Sequence, residues 1–240
     1  MSIASTRHEM WSDLRIRALS AAVLVPPVLL ALIVGGWLWL ALVLIALVVL
    51  LFEWYGLASR VAARKRTAFL GCGVIYAGTP AGALIWLREC HDRGAANVLF
   101  VIIIVWASDI GAYLIGRLVG GAKLAPAISP AKTVSGALGG LGFGVLAGMA
   151  VARGIAPVTA FEAIVTGLIA GVISIAAAMG DLAESAIKRR LDIKDSGHLI
   201  PGHGGAFDRL DGLLVAAPVA AAIAWVGTII SCDVRVPLWY

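Results

Sequence analysis

The residues best suited to chemistry in this 240-residue chain lie in one polar segment, residues 180–211. The segment holds five of the 19 Lys and Arg residues and six of the 14 Asp and Glu residues, although apolar runs flank it. Charges so close to apolar runs are costly unless they face water or take part in chemistry. Because acids, bases, histidines and a glycine pair are interleaved here, the segment predicts a site for a metal ion and phosphate groups.

Three carboxylates of this segment are the candidate metal ligands: Asp181, Asp208 and Asp211. Asp208 and Asp211 are three residues apart, so the start of a helix can point both carboxylates the same way. Hard oxygen ligands of this kind suit Mg²⁺ that is bridged to substrate phosphates. The sequence therefore predicts Mg²⁺ as the cofactor, and it leaves open whether a second metal ion accompanies it.

Basic and polar side chains follow the first carboxylate at helical spacing. Asp181, Ser185, Lys188 and Arg189 fall on one stripe of a helix that continues from an apolar run. A basic stripe that binds anionic lipid would explain Lys188, Arg189 and Arg190. It would not explain the carboxylates, so the stripe favours a phosphate site.

A loop rich in glycine and proline completes the polar segment. Gly204 and Gly205 permit backbone shapes that let a phosphate approach closely. The other candidate site residues of this part are Lys194, Asp195, His203 and Arg209.

A second cluster comprises Asp109, Tyr113 and Arg117 at the end of an apolar run. Their spacing of four residues keeps them on one helix face. An Asp inside an apolar run is a functional candidate. The structural alternative is an ion pair between Asp109 and Arg117 or with another helix.

A third cluster surrounds Ser129 and Lys132. Thr133 or Ser135 could cap the apolar helix that follows, and the start of that helix would offer free N–H groups to an anion. A capped interfacial loop with one lysine reaching toward water explains the same residues.

The elements that must position these residues are membrane helices. The chain is 61% hydrophobic and 14% charged, against about 25% charged in soluble domains. We predict one all-α domain over residues 1–240, with N-terminal spans in 1–94 and a catalytic part in 95–240. The runs approach the ~20 residues that cross a bilayer. The seven predicted spans are 18–35, 37–58, 67–87, 95–116, 134–152, 158–180 and 212–231.

The charge distribution predicts the orientation. With the N-terminus in the cytoplasm, 15 of the 19 Lys and Arg residues face inside. We therefore expect an inner-membrane protein whose site faces the cytoplasm. The basic residues follow the membrane topology, so the net charge of +5 does not indicate nucleic acid. The three scattered cysteines favour neither a disulfide framework nor structural zinc.

The polar segment is similar to the signature of the phosphatidate cytidylyltransferases, or CDP-diacylglycerol synthases. The similarity lies in residues 185–189, 194–197, 201–205 and 208–211. Residues 109–117 and 129–133 resemble two further blocks of that family, in the same order. Together the resemblance covers about the C-terminal half of the chain, residues 106–215.

The resemblance implies a reaction in which CTP and phosphatidic acid give CDP-diacylglycerol and pyrophosphate in the membrane. The Asp residues would hold the divalent cation, and Lys188, Arg189 and Arg209 would bind phosphates. Ser185 and His203 would shape the nucleotide pocket together with Lys194 and Asp195. The oligomeric state is open, with a homodimer as one alternative.

Two other functions are alternatives. A CDP-alcohol phosphotransferase shares the start of its motif with residues 208–212, but the chain lacks the later paired aspartates. An ion-coupled transporter would require internal repeats and charges at mid-membrane, whereas most charges here lie near the ends of the spans.

Overall fold

A computed structural model of the chain describes residues 23, 25–90, 93–155, 159–193, 196–197, 205–230 and 237–238. In chain order the helices and strands are α1 (Val25–Val34), α2 (Gly36–Ala58), α3 (Ala63–Glu89), α4 (Gly94–Val119), β1 (Lys123–Ala125), β2 (Ser129–Thr133), α5 (Val134–Ile155), α6 (Ala160–Arg190) and α7 (Phe207–Ile230).

The predicted helical membrane bundle is confirmed. Six helices, α2 to α7, are long and apolar enough to cross a membrane. Large apolar side chains cover their outward faces, for example Trp37 at 85% exposed and Leu118 at 79%. Such faces suit lipid rather than water. The first predicted span, 18–35, differs, because its described helix is the short α1 and residues 1–22 and 24 lie outside the described residues.

The interior of the bundle is packed by α4, α6 and α7. Phe100, Ile104 and Ile173 are fully buried there, with Ala216 and Ala220 of α7 beside them. Small residues on α7 let the larger side chains of α4 and α6 fill the space between the helices.

Helices α4 and α5 pack closely along a glycine seam. Gly136, Gly140, Gly144 and Gly148 recur every four residues. Gly136 and Gly140 face the backbone of α4, while Gly144 and Gly148 lie between side chains of α4 and α6. A Cβ at Gly140 would lie 2.8 Å from the carbonyl oxygen of Ser108. This is the close helix contact that small residues allow in membranes.

A two-stranded antiparallel ribbon joins α4 to α5, which the sequence did not predict. Lys123 pairs with Thr133, and Ala125 pairs with Ser129. The chain leaves α4 through Gly120 and Gly121, whose φ angles of 64° and 97° favour glycine. The strands are too short for a periodic pattern to reveal them. We call this side of the bundle, where α4 and α6 end and α5 and α7 begin, the ribbon end.

Helix α6 reaches furthest toward the ribbon end. It begins at a capping box in which Thr159 and Glu162 satisfy each other's backbone N–H groups. Its 31 residues would span about 46 Å, longer than the ~30 Å hydrocarbon core of a bilayer. Its last turns can therefore carry charged residues beyond that core. This agrees with the prediction that the polar residues after 180 continue the helix of an apolar run.

The backbones of helices α6 and α7 are in direct contact at Gly180. A Cβ there would overlap the carbonyl oxygen of Asp211 and lie 3.2 Å from the Cα of Gly212. The glycine thus sets the distance between the two helices beside Asp181 and Asp211.

Replacing Gly180 with alanine is therefore expected to destabilise the protein by about 1–3 kcal/mol, since a backbone contact must open. The measurement is thermal unfolding in detergent. Gly142→Ala is the matched control, because nothing lies within 4 Å of a Cβ at that α5 position. Equal melting temperatures for the two variants would contradict the proposed role of Gly180.

Candidate functional site

The candidate site lies at the ribbon end, where the last turns of α6 face the first turns of α7. Asp181, Glu184 and Lys188 follow each other on one stripe of α6. Asp208 and Asp211 lie in the first turns of α7. Because the two helices are in contact at Gly180, both sets of charges are brought together.

Asp181, Glu184 and Asp211 form the acidic cluster. One carboxylate oxygen from each lies within 4.8 Å of the others, which suits a shared divalent cation. Sequence reasoning selected Asp181 and Asp211 but missed Glu184, which is 5% exposed. Its position three residues after Asp181 and four before Lys188 was the signal that could have identified it.

Lys188 connects the acidic cluster to the start of α7. Its Nζ lies 2.9 Å from Glu184 Oε1 and 2.8 Å from Asp208 Oδ1. An ammonium between two carboxylates is held in one position and partly neutralises both. Lys188 is therefore ordered before any substrate arrives.

Asp208 has both carboxylate oxygens engaged. Oδ1 accepts from Lys188, while Oδ2 accepts the backbone N–H groups of Ser196 (3.2 Å) and Gly205 (3.0 Å). Among the described residues, it is not in the cluster whose ligand atoms lie within 4.8 Å. Its predicted role as a metal ligand stays a prediction, and its observed contacts hold the loop before α7.

Glu53 of α2 also reaches this loop, and sequence reasoning did not select it. Its carboxylate accepts the N–H groups of Ala206 (2.8 Å) and Phe207 (3.0 Å). Glu53 is 5% exposed. An acid within an otherwise apolar run was the available signal, but nothing in the sequence indicated its partners, which lie more than 150 residues away.

The predicted residues Gly205, Ser185, Arg189 and Arg209 differ in their surroundings. Gly205 is buried, and its N–H is taken by Asp208. Ser185 is half-buried on α6, and Arg209 is exposed on α7. Arg189 is exposed, and its Nε donates to the carbonyl of Ile128 in the ribbon turn (3.2 Å). The predicted residues Lys194, Asp195, His203 and Gly204 lie outside the described residues.

The ribbon connects the second and third predicted clusters to α6. Lys132 of β2 forms an ion pair with Asp181. Thr133 accepts the N–H of Gly136 (3.1 Å) and so caps the start of α5, as the sequence predicted. Ser129 is half-buried in β2. The N–H of Gly136 is thereby satisfied by the protein itself.

Asp109, Tyr113 and Arg117 line one wall of a cavity between α4, α5, α6 and the ribbon. Arg117 Nη1 donates to the Tyr113 hydroxyl (2.7 Å), and within the described part of the chain it forms no ion pair with Asp109. The cavity has a volume of about 660 Å³. Lys132 and Asp181 also line it, so the cavity reaches the acidic cluster. Its apolar walls include Leu138, Leu141, Ile175, Ala178, Met179 and Leu182.

Comparison with known proteins places this chain in a family. Residues 71–226 match the model of the cytidylyltransferase family. The chain belongs to the cytidylyltransferase family. The resemblance predicted from residues 185–211 is thereby confirmed at the level of the family, and the apolar helices make this member an integral membrane protein.

Several relatives in this family are named phosphatidate cytidylyltransferase. The protein of Brucella suis biovar 1 (strain 1330) is 46% identical over 145 residues, covering 60% of this chain and 53% of the relative. That of Bacillus subtilis (strain 168) is 34% identical over 171 residues, covering 71% and 63%. That of Rickettsia bellii (strain RML369-C) is 35% identical over 216 residues, covering 87% and 89%. The chain thus spans about half the length of the Brucella relative that it matches.

Proposed function

We propose that this protein transfers a cytidylyl group from CTP to phosphatidic acid and produces CDP-diacylglycerol and pyrophosphate. The observation that carries the proposal is the acidic cluster of α6 and α7, joined to Lys188 and open to a cavity with polar and apolar walls. The names of the relatives point to the same reaction. Family membership alone would leave the acceptor of the cytidylyl group open.

In the proposed reaction an oxygen of the lipid phosphate forms a bond to the α-phosphorus of CTP. The bond from that phosphorus to the bridging oxygen breaks, and pyrophosphate leaves with the electron pair. Such transfers depend mainly on positioning and on neutralising charge on the phosphate oxygens. The site therefore needs ordered cations more than it needs a nucleophilic side chain.

The donor set fits a divalent metal ion. Asp181, Glu184 and Asp211 offer three carboxylates at close range, the oxygen ligands that Mg²⁺ uses when it also binds substrate phosphates. When bound there, Mg²⁺ would supply positive charge to the phosphate oxygens.

The basic residues would bind phosphate oxygens directly. Lys188 is held between two carboxylates, so it can keep its position as charge develops on the phosphates. Arg189, Arg209 and Lys132 surround the same end of the bundle. Lys132 is paired with Asp181 and can exchange that partner for a phosphate oxygen.

The cavity would receive the lipid substrate. Its polar wall, with Tyr113, Arg117 and Lys132, suits a phosphate headgroup, and its apolar walls suit the glycerol and acyl carbons. Asp109 lines the same cavity and would contribute a polar contact, and Ser129 would contribute another from the ribbon, as the sequence predicts. Ser185 would lie on the nucleotide side, together with Lys194, Asp195 and His203, as the resemblance implies. Gly204 would let a phosphate approach the backbone closely.

The proposal is tested by incubating the purified protein in lipid nanodiscs with CTP labelled at the α-phosphate, phosphatidic acid and Mg²⁺. Label should move into the lipid phase with release of one pyrophosphate per lipid. Intact CTP together with release of CMP from added CDP-diacylglycerol and an alcohol would favour a phosphotransferase. A folded protein that leaves CTP intact would contradict the proposal.

We further propose that the ribbon end faces the cytoplasm, where CTP is present, and that the membrane is the inner one. The Lys and Arg asymmetry motivates this orientation. In a variant without native cysteines, a cysteine at the exposed Ala127 of the ribbon turn should react with an impermeant thiol reagent only in inside-out vesicles. Labelling of this cysteine in intact cells would contradict the proposed orientation and indicate the opposite one.

A further inference from the structure

We infer that Glu53 is a positioning residue that fixes the first turn of α7, and through it Asp208 and Lys188. Its effect on catalysis rests on the function proposed above. Glu53 lies in the predicted N-terminal part of the chain and outside residues 71–226, over which the family model matches. The inference thus assigns part of the site's architecture to the N-terminal helices.

The contacts of Glu53 are those of a cap supplied by another helix. Oε1 accepts from the N–H of Ala206 at 2.8 Å, and Oε2 accepts from the N–H of Phe207 at 3.0 Å. The first N–H groups of a helix have no partner within it, and a negative charge beside them is favourable. Asp208 takes the N–H of Gly205, so two carboxylates satisfy three successive amides.

The loop before α7 also packs directly on the Glu53 carboxylate. A Cβ at Gly205 would lie 2.8 Å from Glu53 Oε2, and one at Gly197 would lie 2.9 Å from Oε1. The hydroxyl of Ser196 is 3.5 Å from Oε2. Glycine at these two positions therefore lets both ends of the loop approach one buried carboxylate.

An aromatic cluster holds the same turn from the side. The ring of Phe207 lies 5.5 Å from that of Trp54 and is stacked on Tyr76 at 6.0 Å. Trp54 Nε1 donates to the carbonyl of Phe69 (2.8 Å). Residues 53 and 54 of α2 thus anchor the backbone and the ring of Phe207, one residue before Asp208.

The consequence is a chain of contacts from α2 to the acidic cluster. Glu53 holds the amides of Ala206 and Phe207, Asp208 follows in the same turn, and Asp208 orders Lys188 beside Glu184. A buried carboxylate is costly unless its hydrogen bonds are made. Glu53 therefore acts through the first turn of α7 and need not touch a substrate.

The test compares Glu53→Gln with Glu53→Asp in lipid nanodiscs. Glutamine is nearly isosteric, but its NH₂ group must face one of two N–H donors, so one amide loses its acceptor. Aspartate keeps the charge on a shorter side chain and should rescue part of the effect. Glu162→Gln is the matched control, because Glu162 is also a buried acid at a helix start, that of α6.

Two measurements are made on each variant. Hydrogen exchange is followed at the amides of Ala206 and Phe207, and kcat and KM for CTP are measured with phosphatidic acid. In Glu53→Gln, exchange at these amides should accelerate about tenfold or more, since charge-assisted hydrogen bonds are lost. The kcat should fall by at least about tenfold with KM changed far less, whereas Glu162→Gln should keep the wild-type kcat.

Unchanged exchange at Ala206 and Phe207 in Glu53→Gln would overturn the inference. So would accelerated exchange with a wild-type kcat, or an equal acceleration in every helix, because these results indicate only a structural role. The wild-type protein could also transfer no label from CTP while exchange in Glu53→Gln accelerates at Ala206 and Phe207 alone. The positioning contact would then stand and the proposed function would fail.

Discussion

Replacing Lys188 with alanine is expected to lower the turnover of CTP by about a hundredfold or more, since removing one donor to developing charge commonly costs about 2.7–4 kcal/mol. The variant loses the ammonium and leaves Glu184 and Asp208 facing each other without a cation between them. The measurement is the rate of lipid labelling from CTP at saturating phosphatidic acid and Mg²⁺.

A separate fold control is needed because breaking this partly buried ion pair leaves two carboxylates without their cation and can itself destabilise the protein. Lys188→Gln retains a hydrogen-bond donor and should stay folded while showing the same loss of turnover. Arg190→Ala is the matched surface control, since Arg190 is exposed at the end of the same helix. Similar small losses at Lys188 and Arg190 would support simple binding to anionic headgroups, where each charge contributes about 1 kcal/mol.

Much of the bundle follows from local sequence. Each spanning helix is an apolar run of about the length that crosses a bilayer, and the seam of Gly136, Gly140, Gly144 and Gly148 is visible as a repeat of four residues. The stripe of Asp181, Ser185 and Lys188 also follows from helical spacing, because residues three and four apart share a face.

The rest of the site depends on contacts between distant residues. The partners of Glu53 lie at Ala206 and Phe207, and no periodicity connects an acid on α2 with the start of α7. Residue type and the spacing to Asp211 predict Asp208 as a metal ligand, but they give no sign of its hydrogen bonds to the backbone of Ser196 and Gly205. The ribbon was missed because strands of three and five residues carry no pattern that a sequence reveals.

The substitution Asp211→Asn is expected to raise the Mg²⁺ concentration that turnover requires. Asp211 contributes one of the three carboxylates of the acidic cluster, and asparagine is nearly isosteric but removes the charge that attracts a divalent cation. We expect the Mg²⁺ concentration for half-maximal turnover to rise about tenfold or more, and maximal turnover to fall about a hundredfold. A titration of initial rate against Mg²⁺ measures both quantities.

Asp208→Asn separates a metal ligand from a residue that holds the loop. Because both oxygens of Asp208 are engaged by Lys188 and two backbone amides, this variant should lower turnover at every Mg²⁺ concentration without moving the midpoint of the titration. Asp192→Asn is the control, since Asp192 is an exposed acid just after α6. Its φ of 53° is one that asparagine tolerates. If Asp208→Asn and Asp211→Asn shift the Mg²⁺ midpoint equally, Asp208 is a metal ligand, as the sequence predicts. An unshifted Mg²⁺ midpoint in Asp211→Asn would contradict metal binding at the acidic cluster.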